Sequence, residues 1–288
     1  MEINAVGTLA DKNARVDISK VHGGYFSDPV NLEAFVSLAI QPIESTLPKQ
    51  LTLVDFGGGH GDLAEYVKNY LTQKGFVVQA SVVDANDEYL KVVRTKGLDG
   101  TLSNLQDVNL KDVDLILMRA VLHYNPSSVQ VEIINNVYTC LKKGGYFINQ
   151  DSSGKKENCE LRSALINLPE LEMTGSGKRW SSEDENMSML QNAGFTNTVL
   201  AGYAAPNSWT PEEQWERFNG FRQSEAARLG DTQKVIELES KQKAFLERAT
   251  EVIEEYIQKY GKDAIGVKER GDGGYVITYQ YPITVSRK

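Results

Sequence analysis

The run from Val54 to Leu63, VDFGGGHGDL, places four glycines among the five positions 57 to 61. It follows the apolar stretch Leu51 to Phe56 and precedes Leu63, Val67, Tyr70 and Leu71 at helical spacing. A short apolar run bounded by glycines reads as a buried strand, and the spacing that follows reads as a helix stopped by Gly75. A strand, a bare-backbone turn and a helix in that order leave amide groups and a helix N-terminus open to a ligand, because no Cβ stands in the way.

The same alternation continues. FVVQASVVD (76 to 84) predicts a second strand, and DEYLKVVRTKG a helix ending at Gly97. VDLILM (113 to 118) predicts a third strand, a helix opens at Pro126, and YFINQD (146 to 151) closes a fourth strand. This rhythm predicts a parallel sheet with helices on both faces and ligands at the C-terminal strand ends.

After residue 180 the rhythm changes. A serine-capped helix runs to Ala193 and FTNTVLAGY reads as a strand. Pro211–Leu229 and Thr232–Tyr260 then read as two long helices joined at Gly230-Asp231, a helical hairpin. GYVITYQYPITV reads as the closing strand. The expected division is an N-terminal helical lid segment over 1–46, an α/β domain over 47–205 and 263–288, and a hairpin insertion over 206–262.

Composition narrows the function. The chain has 288 residues and a formal net charge of −8. An acidic chain without a Lys/Arg block is a poor partner for nucleic acid. No apolar run spans a bilayer, and the N-terminus has no signal-peptide pattern. The two cysteines, Cys140 and Cys159, show no CxxC spacing, and the three histidines share no metal-ligand spacing, so no metal site is expected. The expectation is a cytoplasmic protein with a small-molecule partner.

Two ligand classes use such a glycine turn. The dinucleotide fingerprint GxGxxG/A fails at its third position, where Asp62 would repel a pyrophosphate. The other pattern, an acidic residue two before GxGxG, is filled by Asp55, Gly57, Gly59 and Gly61. A ligand carrying a sulfonium and an ammonium tolerates that acidity.

On these residues LVDFGGGHGDL resembles the first motif of the class I S-adenosylmethionine-dependent methyltransferases. VVDAND, SNLQDV, DLILMRAVLHY and LKKGGYFI resemble the segments that follow it in that family, in order. The resemblance implies an α/β, Rossmann-like seven-stranded sheet with helices on both faces, plus the helical insertion before the last strand. It implies S-adenosyl-L-methionine as cofactor and S-adenosyl-L-homocysteine as product. Asp55, Gly57, Gly59, Asp84, Ala85, Asn104, Leu105 and Arg119 are the implied cofactor residues. Asp84 would accept from both ribose hydroxyls, since Asn86 and Asp87 are equally good helix caps. Asn104 stands where the family usually has Asp, and its carbonyl oxygen can still face an adenine amino group. Arg119 would orient the cofactor's carboxylate or pair with a nearby acid.

His123 follows the third strand read above and should face the cleft. There it could accept a proton from an acceptor, or pack under the cofactor. Tyr25, Phe26 and Trp180 are candidate substrate residues, with helix packing the plain alternative for the first two. The acceptor is expected to be a small molecule methylated on O, N or C. The apolar stripe of the second hairpin helix suggests a pocket wall and a homodimer face. A nicotinamide-dependent oxidoreductase and a non-catalytic scaffold are the rival classes.

Overall fold

The computed structural model describes residues 26–151, 154–171 and 177–288. Asp28 opens the first helix, α1 (Pro29–Phe35), by accepting from the Val30 amide at 2.8 Å, with Pro29 in the first turn where no amide partner is needed. Tyr25 and most of the N-terminal lid segment expected over 1–46 lie outside the described residues.

Eight strands form one sheet among the described residues. They are β1 (Gln50–Phe56), β2 (Val77–Asp84), β3 (Asp99–Leu102), β4 (Val113–Arg119), β5 (Leu141–Gln150), β6 (Asn197–Trp209), β7 (Val267–Glu269) and β8 (Tyr275–Arg287). Their order is β3-β2-β1-β4-β5-β8-β6, with short β7 paired onto β8. The first five are parallel, while β8 runs antiparallel to both β5 and β6. The sheet thus adds β7 to the seven strands expected. Among the described residues no helix is long and apolar enough to cross a membrane.

Alternation along β1 sends Leu51 and Leu53 to one face and Val54 and Phe56 to the other. On the first face they meet α1, α2 (Asp62–Gln73) and α3 (Asp87–Thr95) through Phe35, Leu63, Val67, Leu90 and Val93. On the second they meet α4 (Ser127–Cys140) and, through Leu190, the helix Glu183–Ala193, numbered α6 below. Strand order reverses between β1 and β4, so the helices before and after diverge and leave a crevice at the strand ends.

A third apolar cluster stands beyond the sheet edge. It joins α5 (Lys156–Ile166), the hairpin helices α7 (Pro211–Leu229) and α8 (Thr232–Tyr260), and the first half of β8. Trp215 and Phe245 meet at its centre, 5.7 Å between rings, both fully buried. Thr210 and Glu213 form a capping box at the start of α7, and Gly230 ends it in the left-handed conformation. Leu229, in the last turn of α7, is 65% exposed.

Candidate active site

The glycine turn leaves β1 at its C-terminal end. The Gly57 amide donates to Val83 O at 2.7 Å, and Gly57 has φ 70°. A Cβ there would stand 2.6 Å from Val121 Cγ2, and one on Gly58 equally close to the Asp55 carboxylate. Both space and backbone conformation therefore require glycine at 57. The loop is tied to β2 by Asp84, whose Oδ2 accepts from the Gly59 amide and whose Oδ1 accepts from the Asn86 amide, each at 2.9 Å. Asn86 caps α3 through the Glu88 amide, as its position suggested. This does not release Asp84 from structural work, because its carboxylate already holds two loop amides.

Asp55 is 1% exposed, and no side chain among the described residues donates to either carboxylate oxygen. Burial pushes its pKa up to about 7. Arg119 pulls it down, Asp84 pushes it up, and the Ala64 amide and Asp62 act more weakly in opposite directions. Asp62, in the first turn of α2, pairs with Lys96. Three carboxylates around one helix N-terminus make a poor seat for a pyrophosphate and a good one for a cation.

The residues expected beside an adenine sit at the strand ends. Ala85 follows β2 half-buried, and Asn104 and Leu105 lie in the turn after β3. Asn136 of α4 fixes that turn by donating to Leu105 O at 2.8 Å and Val108 O at 3.0 Å. Asn104 itself donates to Asp107. Arg119, at the end of β4, donates to Phe26 O at 2.7 Å and lies over the Phe26 ring at 5.1 Å. Phe26 in turn meets Tyr281 edge-on at 5.3 Å. Arg119 and Phe26 therefore join the chain entering α1 to the end of β4.

Beyond Arg119 the chain bends sharply. Ala120 has φ 57°, a left-handed conformation that costs a residue with a Cβ roughly 1 kcal/mol. A short 3₁₀ turn, Leu122–Tyr124, carries His123 back over the end of β5. There His123 Nδ1 lies 2.7 Å from Asp151 Oδ1, with both residues buried. The Asp151 carboxylate fixes the tautomer with the proton on Nδ1 and leaves Nε2 as the accepting nitrogen. Trp180 stacks on the imidazole at 4.9 Å and 9°. The loop carrying Trp180 is held by Gln130, fully buried, which donates to Arg179 O and accepts from the Ser181 hydroxyl.

His123 and Trp180 line one partly open cavity. Arg162 and Ile166, one turn apart on α5, and Gln214, Arg217 and Phe218, on one face of α7, form opposite walls. Tyr279 and Tyr281 of β8 line it as well. Among the sequence candidates, His123 and Trp180 thus share this cavity, while Asp55, Gly57, Gly59, Asp84, Ala85, Asn104, Leu105 and Arg119 lie at the strand ends. Sequence reasoning gave no role to Asp151, Arg162, Lys178 or Arg217. Asp151 alone left a signal, as the last residue of a parallel strand's C-terminal end.

A family profile described as a methyltransferase domain matches residues 31–200. The S-adenosyl-L-methionine-dependent methyl transferase PigF of Serratia is 31% identical over 123 residues, 41% of this chain and 34% of that protein. Sterigmatocystin 8-O-methyltransferase of Aspergillus parasiticus is 30% identical over 100 residues, 34% of this chain and 22% of that protein. The chain therefore matches a third or less of the length of these curated relatives. In fold it is similar to a methyltransferase candidate of Bacillus halodurans, with a TM-score of 0.61 at 18% identity, covering 89% of this chain and 98% of that one.

Proposed function

Because the chain belongs to the methyltransferase family whose domain spans residues 31–200, we propose that it transfers a methyl group from S-adenosyl-L-methionine to a small-molecule acceptor. The observation that carries this is the glycine turn ringed by Asp55, Asp84 and Asp62, which suits a ligand with cationic ends and hydroxyls better than one with phosphates. The buried Asp55 carboxylate and the turn without room for a Cβ at Gly57 fit that cofactor. When bound, it supplies a methyl group on a positively charged sulfur whose departure leaves a neutral thioether.

The protein's part is alignment, charge and exclusion of water. Asp84 accepts from the ribose hydroxyls. Asp55 and Arg119 meet the amino-acid end, Gly57 and Gly59 give close backbone approach, and Ala85, Asn104 and Leu105 bound the adenine. Phe26 and Trp180, with Tyr25 from the segment before α1, form the acceptor side. His123, oriented by Asp151, takes the proton of a hydroxyl or amine acceptor at Nε2.

We assign residues 1–46 as a lid segment, 47–205 with 263–288 as the cofactor-binding domain, and 206–262 as the hairpin that walls the acceptor cavity. Phe221, Leu229 and Ile236 are exposed on that hairpin and support a homodimer through it. A monomer by light scattering at high concentration would remove the dimer alone. The function is tested by calorimetry with S-adenosylhomocysteine and with NAD, then by methyl-transfer assays on a panel of phenols, amines and keto acids. Binding of NAD but not S-adenosylhomocysteine would overturn it.

A further inference from the structure

The cavity beside His123 is cationic in a protein that is not. The chain's formal net charge is −8, yet Arg162, Lys178 and Arg217 all line this one cavity, and its lining among the described residues includes no Asp or Glu. Arg162 and Lys178 are each only 3% exposed. A buried cation is normally matched by a carboxylate, since desolvation opposes it otherwise. Lys178 has none: its Nζ meets no hydrogen-bond acceptor among the described residues. Burial alone pulls its ammonium down to about 8, with no acidic neighbour to offset it.

Both arginines lie against aromatic rings. Arg162 lies over Tyr279 at 3.7 Å and over Trp180 at 4.5 Å. Arg217 lies over Trp209 at 4.8 Å and over Phe218 at 5.3 Å. Aromatic contact holds a guanidinium in place, and its N–H fork is the shape that matches a carboxylate or phosphate. The three cations come from α5, the loop before α6 (Glu183–Ala193) and α7, so the fold gathers them from separate elements.

We propose that this cavity recognises its acceptor by an anionic group, a carboxylate or a phosphate monoester, held by Lys178 with the N–H donors of Arg162 and Arg217. The proposal rests on the cavity being the acceptor side of the methyl-transfer site described above. The anion sits among the three cations, and the atom to be methylated lies toward His123 on the same wall.

The test is calorimetric titration of the full chain, alone and with S-adenosylhomocysteine, using benzoate, phenyl phosphate and the neutral isostere benzamide as probes. One of the two anions should bind at least about tenfold more tightly than benzamide, and the tighter one identifies the group. Lys178→Met should weaken that anion by about tenfold, and Lys178→Arg should retain most of the affinity. Arg217→Gln gives the same readout on a half-buried side chain should Lys178→Met fail to fold. Equal binding of benzamide and both anions, no saturable anion binding, or unchanged anion affinity in both variants overturns the proposal. Binding of S-adenosylhomocysteine is read separately. Its absence would refute methyl transfer while the titration of the unloaded chain still decides the anion site.

Discussion

His123 and Asp151 hold a 2.7 Å contact although they follow different strands, β4 and β5, which run side by side. The pairing of Arg119 with Gln150 in that ladder sets the two strand ends level. The left-handed bend at Ala120 then turns the histidine over its neighbour's end. An imidazole placed this way is oriented by the sheet itself, with a carboxylate beside it and a cavity that it lines.

His123→Gln should lower turnover by about 10² or more while S-adenosylhomocysteine affinity stays nearly unchanged. Asp151→Asn should lower turnover as well, because it no longer fixes the tautomer. Single-turnover assays beside calorimetry separate the two quantities. Loss of cofactor affinity in His123→Gln would assign the ring to packing, and unchanged turnover would end the base role.

Asp84→Ala should weaken S-adenosylhomocysteine by about 1.5–3 kcal/mol, the scale of hydrogen bonds to a charged group. The variant should also melt earlier, since the Gly59 and Asn86 amides lose their acceptor. Calorimetry and thermal unfolding read the two effects. A lower melting temperature with intact affinity would leave Asp84 a loop anchor only.

Asp55 makes stability depend on pH. Its pKa rises from 3.8 to about 7 on folding, so between those values the folded chain binds more protons than the unfolded one. Unfolding free energy from this group therefore falls as pH rises from about 4 to 7, by on the order of 4 kcal/mol at the limit. Asp55→Asn should remove that slope and be the more stable protein at pH 8 without ligand. The cofactor's positive charge favours ionised Asp55, so binding to the native protein near pH 6 should release a proton. Denaturation at a series of pH values checks the first statement, and calorimetry in buffers of different ionisation heat checks the second. A native profile parallel to that of Asp55→Asn would contradict both.

Trp215 is fully buried against Phe245, yet its indole N–H has no acceptor among the described residues. Trp215→Ala should cost about 3–5 kcal/mol through the cavity it leaves. Trp215→Phe should cost much less, because it keeps most of the apolar contact and removes an unmatched donor. Chemical denaturation of the two variants provides the comparison, and equal losses would mean the donor is satisfied by water.

The strands at positions 51, 76, 113 and 146 could be read because each is a β-branched or apolar run closed by glycine or a polar turn. The hairpin helices could be read from Thr210, Pro211, Gly230 and Asp231, residues that cap or break a helix for local reasons. Strand β7 has three residues and exists only by pairing with β8, so no local pattern announces it. Strand β6 runs past FTNTVLAGY to Trp209, carrying Pro206 on the sheet's outer edge, where a missing amide is tolerated. At the site, glycines and strand-end acids stood out because their chemistry is packed into a few consecutive positions. Arg162, Lys178 and Arg217 did not, because each is an ordinary charged residue until three elements bring them together.

Strand β8 lies between β5 and β6, and among the described residues β6 has no other neighbour in the sheet. On the ribosome, β6 therefore emerges with nothing to pair with until residues 275 to 287 follow it. In the interval, α7 and α8 can close on each other through local contacts and shorten the loop that β8 must span. The cavity wall from β8 arrives last, so a nascent chain can hold its glycine turn complete while the cavity beside His123 is still unfinished.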